Sequence, residues 1–397
     1  MKSTRWMVLL LSGCTHQGDT GTNPTQTAET ARYLPAPRID LVEALGPCMD
    51  AELADLDEDG DLDVVLAFEF DTNTILWNDG DLNFTPERLP KPSGIPPQYL
   101  GADSEDIAII DVDGDEDLDL LFVAEDLGGI DELYLWEDGA FGVSDALPAP
   151  AITNGLDTAD LDGDGLPEVI LAQKGQNAVW SADGQGGFVD VTADWLPEVD
   201  DSSQDAELAD LDGDGDLDLV FANEGGDNRV LFNDGRAFIE GVFPTAPAEE
   251  TREIDAGDLD GDGDLDLVIA NVGWGVGPPQ DRVLFNAGDG TFVEGASTLP
   301  EDGYNTLDVD LVDLDDDGDL DVLRANSALV SNRLVEAPFE AWINDGAGGL
   351  SMAGEDLLVR VDGKGLDVEV GDLNGDGLSD LYYCVLGGRD VVMIQQP

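Results

Sequence analysis

Seven nine-residue strings carry most of the chemistry this sequence offers: DLDEDGDLD at 55, DVDGDEDLD at 111, DLDGDGLPE at 160, DLDGDGDLD at 210 and again at 258, DLDDDGDLD at 313 and DLNGDGLSD at 372. Each sets oxygen donors at positions 1, 3, 5 and 9 of a tight loop, a spacing that suits a hard cation taking six to eight oxygen ligands, which is Ca²⁺. The side-chain ligands expected are Asp55, Asp57, Asp59 and Asp63; Asp111, Asp113, Asp115 and Asp119; Asp160, Asp162, Asp164 and Glu168; Asp210, Asp212, Asp214 and Asp218; Asp258, Asp260, Asp262 and Asp266; Asp313, Asp315, Asp317 and Asp321; and Asp372, Asn374, Asp376 and Asp380. Position 7 is Asp61, Asp117, Asp216, Asp264 and Asp319 in five strings but Leu166 and Leu378 in two, so its donor must be the backbone carbonyl. Up to seven structural Ca²⁺ are expected.

Position 6 is Gly60, Gly165, Gly215, Gly263, Gly318 and Gly377, where the loop needs a positive φ. Glu116 replaces it in the second string, which is therefore expected to bind less tightly. The helix–loop–helix calcium motif opens in the same way but closes on Glu at position 12. Here that position holds Leu66, Phe221 or Ile269 inside a β-rich run, which excludes it. A single string could be only a polar turn, but seven in register argue against that reading.

The strings recur every 48 to 59 residues, so the chain is a repeat protein. Each string follows a short segment such as DAELA (205–209) and precedes a β-rich run such as LVFAN (219–223). A second apolar run, a turn (NDG at 78–80, 233–235 and 344–346) and a Phe-containing run complete the unit. Four short runs bounded by Asp, Asn and Gly read as a four-stranded antiparallel meander. Such a sheet cannot bury both faces alone. Seven arranged radially can, and four strands per unit favour blades over a linear solenoid. The expected fold is all-β: a seven-bladed β-propeller spanning 32–397. The seventh unit ends one strand short, and residues 38–44 (RIDLVEA) are expected to supply that outer strand and join the ring. Cys48 and Cys384 would then share a face in neighbouring blades, where an exported chain could form a disulfide; two free thiols are the alternative.

The 397 residues include 89 acidic and 16 basic ones, a formal net charge of −73. Such a surface repels phosphates, which excludes nucleic acid and an anionic membrane surface as partners. The 42% hydrophobic content argues against disorder, and the abundance of Asp and Gly argues against a helical protein. The 35 acids inside the strings belong to the expected metal sites; the remainder implies surface solubility or a salty habitat.

At the N-terminus, Lys2 and Arg5 precede the apolar run Trp6 to Leu11, which has the form of an export signal over 1–13. Residues 14–31 are polar and Thr-rich, a flexible tether. Leu11-Ser12-Gly13-Cys14 resembles the lipobox of bacterial lipoproteins, which implies cleavage before Cys14 and lipid on its sulfur; an ordinary signal peptide is the alternative. The expected location is the outer membrane or cell surface, or the periplasm, with membrane contact only through the lipid.

From about residue 38 onward, the D-x-D-x-D-G-x-x-D strings between strands and the NDG turns resemble the FG-GAP/VCBS repeats of seven-bladed propellers, including integrin α-subunit heads. The resemblance implies calcium and an extracellular protein that binds proteins or carbohydrates. The faces of blades away from the loops carry the variable connections 91–105, 272–281 and 327–340, and Tyr99, Trp274 and Arg333 are the ligand-face candidates there. For each, simple cover of the core is the competing reading. The first expectation is a non-enzymatic, monomeric surface binding module. A polysaccharide-active lyase or glycosidase and a structural spacer are the alternatives. Against catalysis, the sole histidine is His16 in the tether, and no Gly-x-Ser-x-Gly, His-Glu-x-x-His or Cys-x-x-Cys occurs.

Overall fold

A computed structural model describes residues 32–36, 47–125, 129–244, 250–273, 279–295, 299, 303–330, 333–387 and 389–397. The export signal, the tether with Cys14, residues 38–44 and Trp274 lie outside them. Among the described residues the only helix is the single turn Thr192–Trp195, and no helix is long and apolar enough to cross a membrane.

Every string joins two antiparallel strands. In the fifth unit, Thr251–Gly257, Asp266–Asn271, Arg282–Asn286 and Phe292–Glu294 pair in chain order as one four-stranded sheet. The strand after each string opens on its last acid and continues as a largely apolar, buried run, as in Asp63–Phe68 and Asp218–Asn223, both buried along their length. Both of its faces meet neighbouring sheets, so the pattern is a continuous apolar run rather than an alternation. The core consequently lies between sheets. One cluster combines Val65, Ala67 and Ile75 of the first unit with Ile107, Ile109, Leu120, Phe122 and Tyr134 of the second. Each large side chain buried this way contributes about 1.5–3 kcal/mol.

The strands that precede the strings are Cys48–Ala54, Ser104–Ile110, Thr153–Ala159, Asp201–Ala209, Thr251–Gly257, Tyr304–Val312 and Gly365–Gly371. Each packs beside the next, and Gly365–Gly371 also packs beside Cys48–Ala54. Each carries a register shift near its start, for example between Cys48 and Asp50 or Ser203 and Asp205. A bulge of this kind re-aims the side chain at the shift. Buried or half-buried aspartates on these strands bridge sheets. Asp106 accepts the N–H of Leu156 at 2.8 Å, Asp157 that of Leu208 at 2.7 Å, Asp255 that of Leu311 at 2.8 Å, and Asp308 that of Val368 at 2.8 Å. Asp367 accepts the N–H of Ala51 at 3.0 Å, from the seventh unit to the first.

The strand that completes the last sheet is Arg32–Pro35, not 38–44. It pairs antiparallel with Val391–Gln396, Arg32 opposite Gln396 and Pro35 opposite Met393. Tyr33 explains the choice: it is fully buried in a cluster with Leu357, Tyr383 and Met393, and its N–H donates to Leu357 O at 2.7 Å. Residues 38–44 offer no aromatic anchor. The connection 327–340 is likewise no loop: Asp321–Leu329 runs on into a hairpin with Leu334–Pro338, Ser327 facing Glu336.

Cys48 and Cys384 are disulfide-bonded, Cα–Cα 5.6 Å, across a sequence separation of 336. Closing so long a loop restricts the unfolded chain, so reduction under non-denaturing conditions should lower stability by about 2–5 kcal/mol. Urea unfolding of the Cys48→Ala/Cys384→Ala variant measures this, and an unchanged midpoint would count against it. Between sheets, one close approach depends on glycine. A Cβ on Gly290 (φ +70°) would stand 2.2 Å from the Phe232 ring of the preceding unit. Gly290→Ala should therefore cost about 1–3 kcal/mol, read as a lower urea midpoint.

Candidate functional site

The string loops share one backbone shape. Two residues per loop adopt left-handed φ, at positions 4 and 6: Gly213 (75°) and Gly215 (98°) in the fourth, Glu58 (59°) and Gly60 (99°) in the first. The second loop keeps the shape although position 6 is Glu116, whose φ is 75°. The requirement at position 4 was not drawn from the sequence, because Glu58 and Asp316 occupy it in two strings.

Backbone N–H groups arrange the carboxylates. Asp55 accepts from Asp59 N and Gly60 N, both at 3.0 Å, and Asp160 repeats this with Asp164 and Gly165. The position 5 carboxylate accepts the N–H of position 7, as Asp214 does from Asp216 at 3.0 Å. Oxygens of Asp55, Asp57 and Asp59 lie within 4.8 Å of one another, as do those of Asp111, Asp113 and Asp115, of Asp160, Asp162 and Glu168, and of Asp210, Asp212 and Asp218. Asp113 Oδ1 and Asp315 Oδ1 are buried without a hydrogen-bond partner. Burial and the adjacent acids raise both carboxyls above their ordinary pKa. Clustered oxygens with orphaned lone pairs and no nitrogen or sulfur donor fit a hard divalent cation. The residues that could hold it are those of positions 1, 3, 5 and 9, with the position 7 carbonyl.

Position 9 does more than the sequence indicates. Asp218 is fully buried, its Oδ2 accepting Leu211 N at 3.0 Å and its Oδ1 accepting Asn233 N at 2.8 Å. Asp63, Asp119, Asp266, Asp321 and Asp380 make the equivalent pair of bonds. Burial pushes Asp218 up to about 6 and Asp119 up to about 7, against the pull of those donors. The turn asparagines then link neighbouring loops. Asn286 Nδ2 donates to Leu265 O in its own unit and Leu211 O in the preceding one; Asn344 does so to Leu320 and Leu259, and Asn78 to Leu62 and Leu373. The recurrent Asn at the head of the third turn was the available signal.

The opposite face holds a cavity of about 340 Å³. Its wall includes Asp50, Asp106, Asp205, Glu253 and Asp308, each sited just after the bulge of its strand, with Glu105 and Arg252 nearby. Burial, reinforced by Asp103 and Glu125, pushes Glu105 up to about 8. Sequence reasoning missed this acidic mouth; the signal was an acid near the start of successive pre-string segments. Of the proposed ligand-face residues, Tyr99 and Arg333 do not line it. Tyr99 stacks on Phe70 at 4.9 Å and packs against Ile95, Ala102 and Ala124, so it covers core. Arg333 is exposed at the 327–340 hairpin, whose Leu334 lines the cavity. Trp274 lies outside the described residues.

The FG-GAP-like repeat pattern matches residues 55–122, 111–171, 160–221, 210–269 and 258–323. No curated protein sequence matches the chain. Among solved structures it is similar to an Agrocybe aegerita lectin studied for specific recognition of non-reducing terminal N-acetylglucosamine, at 19% identity and TM-score 0.50, covering 77% of this chain and 79% of that one. It is also similar to BBS1N in its complex with ARL6DN, at 10% identity and TM-score 0.57, covering 92% and 98%. At these identities the likeness concerns the fold, a β-propeller.

Proposed function

We propose, because the chain belongs to the FG-GAP-like repeat family, that it is a calcium-stabilised, seven-bladed propeller serving as an exported, non-catalytic binding module for a glycan or protein. Three links between the seventh unit and the first support seven blades in a closed ring: the Asp367–Ala51 hydrogen bond, the Cys48–Cys384 bond, and the packing of Gly365–Gly371 beside Cys48–Ala54. The pairing of Arg32–Pro35 with Val391–Gln396 adds a fourth strand to the last blade. Calcium is supported by the oxygen-only loops with their orphaned Asp113 and Asp315 oxygens. Export and lipid attachment at Cys14 rest on the N-terminal sequence.

The observation that carries the binding role is the mouth itself. A concavity of about 340 Å³, walled by polar groups from several rigid strands and open to solvent, is of the size that small ligands and protruding side chains occupy. The lectin and the BBS1N complex make a glycan and a protein the two ligand classes to test. Glycan and protein arrays probed with the Ca²⁺-loaded chain should give hits of one class, weakened at least about 10-fold by Arg252→Ala with an unchanged melting curve. Hits indifferent to Arg252→Ala would move the ligand elsewhere. A second reading follows from Glu105, whose raised pKa beside other carboxylates is what a glycosidase acid requires. Turnover of an arrayed polysaccharide, abolished by Glu105→Gln, would favour it.

A further inference from the structure

The register shift inserts one extra residue into each pre-string strand, and in all seven units that residue lines the mouth. It is Met49 in the first unit, Leu307 in the sixth and Leu366 in the seventh. In the second to fifth units it is Glu105, Asn154, Gln204 and Arg252. The backbone device is constant while the side chain it presents varies, which is how a rigid scaffold carries specificity.

The inserted side chains fall into two arcs. The first strands of units six, seven and one pack beside one another, so Leu307, Leu366 and Met49 are neighbours. Leu334 and Leu386 join them in one apolar cluster, and all but Leu366 are only partly buried. The other arc is polar and held in place. Asn154 Nδ2 donates to Ser203 O at 2.7 Å, Gln204 Nε2 to Glu224 at 3.3 Å, and Arg252 Nη1 to Gln204 Oε1. A ligand that fills the mouth must present an apolar side to one arc and hydrogen-bonding groups to the other.

Two features choose between a sugar and a polypeptide. None of the described lining residues is aromatic, whereas the C–H face of a sugar ring is best held by an aromatic one. Leucine and methionine suit an aliphatic side chain instead. The second feature is charge. With 16 basic residues for 89 acidic ones, pairs within the chain cannot cancel its field, so positive charge on a partner steers it inward. Glu105 stands on the strand beside that of Met49, next to the apolar arc.

We propose that the mouth receives a protruding polypeptide segment in which an aliphatic side chain stands next to a basic one. Met49, Leu307 and Leu366 seat the aliphatic group, and Glu105 meets the basic one. This rests on the reading of the mouth as the binding site and names the partner's chemistry.

Random-sequence peptides displayed on phage and selected on the Ca²⁺-loaded full chain should converge on Leu, Ile or Met beside Lys or Arg. A selected peptide then serves as a fluorescent probe. Replacing its aliphatic residue by Ala should weaken binding to wild type about 10-fold, but binding to Leu307→Gln little. Replacing its basic residue should weaken binding to wild type similarly, but binding to Glu105→Gln little. Equal losses against wild type and variant overturn the assignment. Leu386→Ala replaces Leu307→Gln if the latter does not fold. Selection without the motif overturns the proposal. Glycan hits that depend on Arg252 would then keep the mouth as the site, and hits indifferent to Arg252→Ala would remove both.

Discussion

Removing calcium should lower the melting temperature by about 25 °C, and restoring Ca²⁺ should recover it. A ligand that binds only the folded state at about 100 times its dissociation constant contributes about 2.7 kcal/mol per site. Unfolding entropy near 2.1 cal/mol/K per residue makes the expected propeller span 32–397 lose about 1.3 °C for each kcal/mol. Seven filled loops therefore give the stated shift, and a subset gives a proportionate one. The direction is reinforced by charge, because the strings hold 35 acids and no bases. Differential scanning fluorimetry in EDTA and in millimolar Ca²⁺ measures it. Coincident curves would remove calcium from the account of this fold.

The second large effect is expected at position 9. Asp218→Ala strips the acceptor from Leu211 N and Asn233 N in a buried setting. Each orphaned donor costs about 1–3 kcal/mol, so the variant should lose about 2–6 kcal/mol even in chelator. Asp214→Ala, at an exposed position whose carboxylate accepts the N–H of Asp216, should change stability in chelator by less than about 1 kcal/mol. In Ca²⁺ it should lose that loop's share of the metal effect. Urea titrations of both variants with and without Ca²⁺ separate a carboxylate that holds the blade from one that holds the ion. Equal losses in chelator would refute the division.

The strings, the strands around them and the turn asparagines were legible because each is a local pattern repeated in register. What depends on distant partners was not. The residues 38–44 and 32–35 are both short segments ahead of the first unit, and only the burial of Tyr33 against Leu357 and Tyr383 selects the latter. The hairpin 327–340 looked like a variable loop because its register is fixed by pairing Ser327 to Glu336 rather than by alternation. The acidic mouth escaped notice for a related reason. Asp50, Asp106, Asp205 and Asp308 lie far apart in sequence, and a bulge in each strand turns them toward a shared space. Of the two readings open for Tyr99, ligand face or cover of the core, its stacking on Phe70 favours the second.

The pairing of Arg32–Pro35 with Val391–Gln396 has a bearing on biogenesis. A ribosome adding about 5–20 residues per second needs roughly 20–70 s to make the second of these strands after the first. Throughout that interval the earlier strand has no edge to join, and the chain between them cannot complete its last sheet. If the chain is exported as proposed, this order of synthesis delays completion of the fold until after most of the chain has been made. The same arrangement makes the native state all-or-none at its seam: a nick that frees either strand exposes the edge of the other.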